Sequence, residues 1–150
     1  MKRLFPVVAI AAILLWGETN RSQAAETAAA EAGLETTSMF ALGGIGVAGT
    51  MSSGERALRE LLEKPDAVAR LERLVTSASP AGQLYALLGL RVKDRASYDR
   101  AIEKLKSIEA KVATARGCML SQDPFVDLVK EIEHGQYDTF LERKWPAQTR

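Results

Sequence analysis

Gly82-Gln83-Leu84-Tyr85-Ala86-Leu87-Leu88-Gly89-Leu90 is the stretch on which the fold of this chain turns. It carries no charge before Arg91, and no polar face wider than Gln83. A helix that is apolar all round is buried on all sides. The stretch therefore reads as a central helix, with amphipathic neighbours packed around it. Ser79-Pro80 supplies a cap and a first-turn proline, and Lys93–Ala96 is a polar turn, so the helix is expected over about 80–92.

The flanking segments read as amphipathic helices. Ser52-x-x-Glu55 is a capping box. Ala57, Leu58, Leu61 and Leu62 follow on one face, with Arg56, Arg59, Glu60 and Glu63 opposite. Pro65 and Asp66 suit the first turn of a second helix with Val68, Leu71, Leu74 and Val75 as its buried stripe. On the other side, Tyr98, Ala101, Ile102, Leu105, Ile108 and Val112 fall at helical spacing. They predict a long helix, capped by Ser97 and stopped by Gly117 as a C′ glycine. Asp123-Pro124 opens another, with Phe125, Leu128, Val129 and Ile132 inward. Gln136–Lys144 makes a last short one that buries Phe140 and Leu141. No strand is expected after residue 50. The fold class expected is all-α, about six helices stacked as α-hairpins, following an N-terminal signal peptide and a Gly-rich segment.

Tyr85-x-x-Leu88-Gly89-x-x-Val92 followed by Ala101-x-x-x-Leu105 resembles a degenerate tetratricopeptide unit over about residues 85–108. Tyr stands where that repeat has Trp, Val stands where it has Tyr, and no neighbouring window repeats the pattern. The resemblance implies helical-hairpin architecture and a protein- or peptide-binding scaffold.

The N-terminus sets the compartment. Met1-Lys2-Arg3 is basic, Leu4–Trp16 is apolar apart from Pro6, and Ser22-Gln23-Ala24 is a small-residue cleavage site. That order of features is a secretory signal peptide over 1–24. The apolar run is shorter than the ~20 residues of a spanning helix. Export to the periplasm or extracellular space is expected, with membrane contact only if the segment stays uncleaved. Cleavage removes Lys2, Arg3 and Arg21 against Glu18 alone, which takes the formal net charge from +1 to −1. A near-neutral chain of mixed sign carries no nucleic-acid footprint. The Ala/Glu/Thr-rich residues 25–38 read as a flexible lead, with a frayed helix as the competing reading. Residues 39–145 read as the helical domain and 146–150 as a fraying tail.

Met39–Gly54 contains Gly44-x-Gly46-x-x-Gly49, the letters of the dinucleotide-binding fingerprint. That chemistry also needs a strand before it, a strand after it and an acidic residue about 20 positions on. Here the next segments read as helices, so the stretch is expected to be a close-packed Gly/Ala loop at one end of the domain. No cofactor is expected.

Cys118 is the lone cysteine and cannot form an internal disulfide. At C″, after Gly117, it is expected to pack back on the helix end as a buried thiol. An intermolecular disulfide, and hence a homodimer, is the other role open to it. Glu131-x-x-His134 has di-iron helix-bundle spacing, but His134 is the only histidine, so no metal site is expected. Asp127 and Glu131 read as an ordinary exposed i,i+4 pair. Tyr137, Phe140 and Trp145 form an aromatic cluster that serves either as a partner-binding patch or as the close of a small core. The function expected is a non-enzymatic interaction or structural scaffold whose partner is another envelope or extracellular protein. The alternative is a cell-envelope enzyme using Cys118 with His134.

Overall fold

The computed structural model describes residues 9–143, with side chains from Ser22 onward. The expected tail and Trp145 lie outside the described residues. Two short strands and a hairpin-forming partner join the helices, so the molecule is mostly helical and the all-α expectation is corrected. In chain order the elements are α1 (Ala9–Thr36), β1 (Met39–Ile45), α2 (Ser53–Leu62), α3 (Ala67–Ser77), α4 (Pro80–Lys93) and α5 (Arg95–Leu105). They continue with β2 (Lys111–Gly117), β3 (Met119–Pro124), α6 (Phe125–Glu133) and α7 (Asp138–Glu142).

The central helix is where the sequence puts it. Ser79 caps α4 by accepting from the Gly82 N–H, and Pro80 occupies its first turn. Every residue from Leu84 to Leu90 is buried. Its glycines are contact points. A Cβ on Gly89 would come within 2.9 Å of both Leu58 on α2 and Leu71 on α3, and one on Gly82 would run into the Leu34 carbonyl of α1. The core gathers Leu34, Phe40, Leu58, Leu61, Leu71, Leu74, Tyr98, Phe125 and Ile132 around α4.

Residues 25–36, expected as a flexible lead, continue α1. Thr27, Ala30 and Leu34 fall at helical spacing on one face and are buried. Glu31 holds Arg70 at 2.6 Å and Arg73 at 2.8 Å, both on α3. The small residues of this stretch let α1 lie close on the bundle, with Gly33 facing Ala57 of α2.

The three strands form one sheet in the order β1-β2-β3. β1 pairs parallel to β2, Phe40 with Thr114, after a crossover through α2, α3, α4 and α5. β2 and β3 form an antiparallel hairpin, Arg116 with Met119. The long helix expected over 97–116 stops at Leu105. Beyond it, exposed Lys111, buried Val112, half-buried Ala113 and buried Thr114 alternate, in a Val/Thr/Ala run that suits a strand. Gly117 has φ +60°, which a C′ glycine and the first position of a two-residue hairpin loop both require. The hairpin is what it serves, and Asp94, not Ser97, caps α5.

Candidate functional site

The sheet has one sealed edge and one open edge. On β1 the backbone groups that point away from β2 are taken by side chains. The Ala41 N–H donates to the Tyr85 hydroxyl at 2.9 Å, and the Ala41 carbonyl accepts from Tyr85 at 2.8 Å and from Ser52 Oγ at 2.7 Å. The Gly43 N–H donates to Glu55 Oε2 at 2.9 Å. Ser52 also caps α2 through the Glu55 N–H, so half of the expected capping box forms. The Glu55 carboxylate turns to β1 and to Arg59 at 2.8 Å, away from the cap. It is fully buried, and burying a carboxylate costs several kcal/mol unless it is paired and hydrogen-bonded. Tyr85, Ser52 and Glu55 thus stand where a fourth strand would lie.

β3 forms the other edge, with no strand beyond it among the described residues. A two-residue loop closes on a hydrogen-bonded pair, here Arg116 and Met119. Pairs then alternate along an antiparallel ladder. Thr114–Ser121 and Val112–Asp123 are hydrogen-bonded, whereas Ala115–Leu120 and Ala113–Gln122 are not. The N–H and C=O groups of Leu120 and Gln122 therefore point outward. The parity agrees across the sheet, because Ala41 and Gly43 are the outward residues of β1. Pro124 ends β3 without a donor.

Two large apolar side chains of this edge, and one from the neighbouring glycine loop, are solvent-exposed. Val47 is 99% exposed, Met119 77% and Leu120 74%. These are three of the four large exposed hydrophobics among the described residues, Val92 being the fourth, so their exposed apolar surface concentrates at one end of the sheet. The Gly46 N–H donates to the Gly117 carbonyl at 2.9 Å, which sets the glycine loop beside the hairpin turn. A groove of about 260 Å³ lined by Met39, Ala113, Leu120, Ser121 and Gln122 runs along the outer face. On the inner face Thr114 and Ser121 hydroxyls lie 2.7 Å apart, and both meet Asp123 Oδ2. The hydrogen bond from Thr114 holds the Asp123 carboxyl below the usual aspartate range.

The expected site residues fall elsewhere or change character. Cys118 is exposed at the hairpin turn, which corrects the buried-thiol expectation, because no helix end is there to cover it. His134 is exposed at the C-cap of α6. No hydrogen bond or ion pair joins it to Cys118 among the described residues. Tyr137 is buried. Its ring packs edge-on against Phe40 with centroids 5.1 Å apart, and its hydroxyl donates to Glu131. Burial, then that carboxylate, raises its phenol. Phe140 is half-buried over Gly43, where a Cβ would strike its ring. These two aromatics close the core. Glu131 is engaged by Arg116 at 2.8 Å, and no group of three or more His, Cys, Asp or Glu residues among those described could hold a metal ion.

The glycine fingerprint begins inside a strand, Gly44 lying in β1, which the sequence reading did not anticipate. Its geometry is nevertheless that of a turn. Ile45 and Thr50 exchange backbone hydrogen bonds at 2.8 and 3.0 Å, folding Gly46–Gly49 back on themselves, and α2 starts only after the Ser52 cap. A cleft of about 580 Å³ between α4 and α7 includes Arg59 and Arg91. Both arginines are already committed, to Glu55 and Asp138 respectively.

No helix among the described residues is long and apolar enough to cross a membrane. The chain matches no protein-family model, no curated protein and no solved structure.

Proposed function

We propose that this chain is an exported, non-enzymatic interaction scaffold that binds through the open edge of β3. The observation that carries this is the asymmetry of the sheet. One edge is blocked by three side chains, while the other offers unpaired backbone groups flanked by exposed Met119 and Leu120. An exposed edge strand is a template for pairing, and proteins that do not use one blunt it with charge, proline or a covering element. Strand addition takes affinity from main-chain hydrogen bonds and specificity from alternate side chains. Burying Met119 or Leu120 against a partner would add about 1.5–3 kcal/mol each.

Export rests on the order of features in residues 1–24. The tetratricopeptide-like residues Tyr85, Leu88 and Gly89 serve the core, so the contact surface is assigned to β3 and not to that stretch.

Capture by the immobilised protein from envelope extract, with and without reductant, tests the reading. Gln122→Pro removes one outward N–H and no inward one. Loss of capture with Gln122→Pro, and its retention with Cys118→Ser, is the expected pair of results. Capture indifferent to Gln122→Pro would contradict the edge as the surface, and capture lost only with Cys118→Ser would move the function to the thiol.

A further inference from the structure

Resting on that reading, we infer that the occupant of the β3 edge is a second copy of this chain, paired antiparallel about a two-fold axis at Ser121. The outward groups select the register. With Ser121 opposite Ser121 of the second copy, Leu120 exchanges both backbone bonds with Gln122 across the axis, and Gln122 does the same with Leu120. Moving the axis to Gln122 sets Leu120 against Pro124, which has no N–H to give. Moving it to Leu120 sets Gln122 against Cys118, which belongs to the turn.

The side chains fit this register on both faces. On the inner face, the row through the axis is Thr114, Ser121 and their two mates, a ladder of hydroxyls already begun within one chain at 2.7 Å. Cross-strand Ser/Thr hydrogen bonds favour sheet pairing. The next row places Arg116, Met119 and then Asp123 of the second copy side by side, so opposite charges share a row. The two Asp123 carboxylates are staggered along the strands, and no like charges face each other. Residues 118–122 carry no charge at all. On the outer face the two Leu120 side chains become diagonal neighbours, about 7–8 Å apart across the axis, within reach of one another. Each also lies beside Ala115 of its own copy, with Gln122 of the other copy across from it. Short strand edges bury less than the ~1,200 Å² of a stable interface, so the dimer is weak and concentration-dependent.

This register keeps the two Cys118 residues apart. Each sits opposite Pro124, some ~20 Å from its mate at ~3.3 Å per residue. A disulfide needs Cα atoms within about 7 Å. The dimer therefore forms without the thiol, and a Cys118-linked dimer would be a different, tip-to-tip object.

Sedimentation of the Cys118→Ser protein across a concentration series tests the inference. A reversible dimer, weakened about tenfold or more by Gln122→Pro, is the expected result. In the Cys118→Ser background, Ser121→Cys should cross-link under oxidised glutathione, because a non-hydrogen-bonded pair brings the Cβ atoms to ~5 Å. A monomer at every concentration would overturn the second copy as occupant. So would a dimer that needs Cys118, or one untouched by Gln122→Pro. If the protein stays monomeric while Gln122→Pro still abolishes capture of an envelope protein, self-pairing fails and the edge reading stands. If both tests are indifferent to Gln122→Pro, both fail.

Discussion

Tyr85 does two jobs with one side chain. Its ring packs edge-on against Phe40 at 4.8 Å, and its hydroxyl both accepts from and donates to Ala41. Gly54 must lack a Cβ because the Tyr85 hydroxyl end lies there. Tyr85→Phe keeps the ring and strands the Ala41 N–H in a buried site. An unsatisfied buried donor costs about 1–3 kcal/mol, so chemical denaturation should show a loss of that size. Cβ-bearing variants at Gly82 should cost a similar amount, about 1–3 kcal/mol by overpacking, because backbone and not a flexible side chain blocks the space. Gly117 shows why single residues mislead. The need for positive φ was legible, but a helix stop and a hairpin turn ask for the same glycine. That ambiguity, in turn, misplaced Cys118.

Elements were legible wherever a local rule and a period agreed. The Ser79-Pro80 start, the α4 run and the α6 stripe of Phe125, Leu128, Val129 and Ile132 all stand in the structure. The strands were not legible, for three physical reasons. β1 has only Met39–Leu42 before glycines take over. β2 begins at Lys111, and its Val112 extends a helical stripe by one more step. β3, with Met119 and Leu120 exposed, has no buried face to reveal. The ladder parity now gives β3 a sharp test. Gln122→Pro should leave folding stability almost unchanged, since its N–H faces outward. Ser121→Pro removes a ladder bond and should destabilise measurably by thermal melting.

For α1, pH is the lever. Burial works against the Glu31 carboxylate, but hydrogen bonds and charge from Arg73 and Arg70 outweigh it and hold it below its ordinary 4.5. A depressed carboxyl contributes fully above the unfolded value, and the contribution is lost as pH falls through the folded one. Amides in residues 25–36 should therefore lose protection as pH falls below the ordinary glutamate value, and Glu31→Gln should remove that pH dependence.

At the scale of the molecule, a mostly helical body holds a small sheet against itself and finishes one side only. Arg59 shows how thoroughly that side is finished. It pairs with buried Glu55 and donates to the carbonyls of Phe140 and Leu141, tying β1, α2 and α7 together. Breaking a buried pair costs ~3 kcal/mol or more, so Glu55→Ala should unfold the protein at markedly lower denaturant. None of this was readable from Ser52-x-x-Glu55, because the capping motif names a local partner and the structure uses a distant one. Of the two roles read for the aromatic cluster, Tyr137 and Phe140 take the core one, while Met119 and Leu120 are exposed in a strand whose sequence looks unremarkable.

Residue-resolved amide exchange is the measurement that tests the central claim, one closed edge and one open. In dilute protein, Ala41 and Gly43 should be protected by Tyr85 and Glu55, while Leu120 and Gln122 exchange fast between the slow amides of Met119 and Ser121. Raising the protein concentration should slow Leu120 and Gln122 alone. Slow exchange at both positions in dilute protein would show that β3 is already covered and would contradict the account.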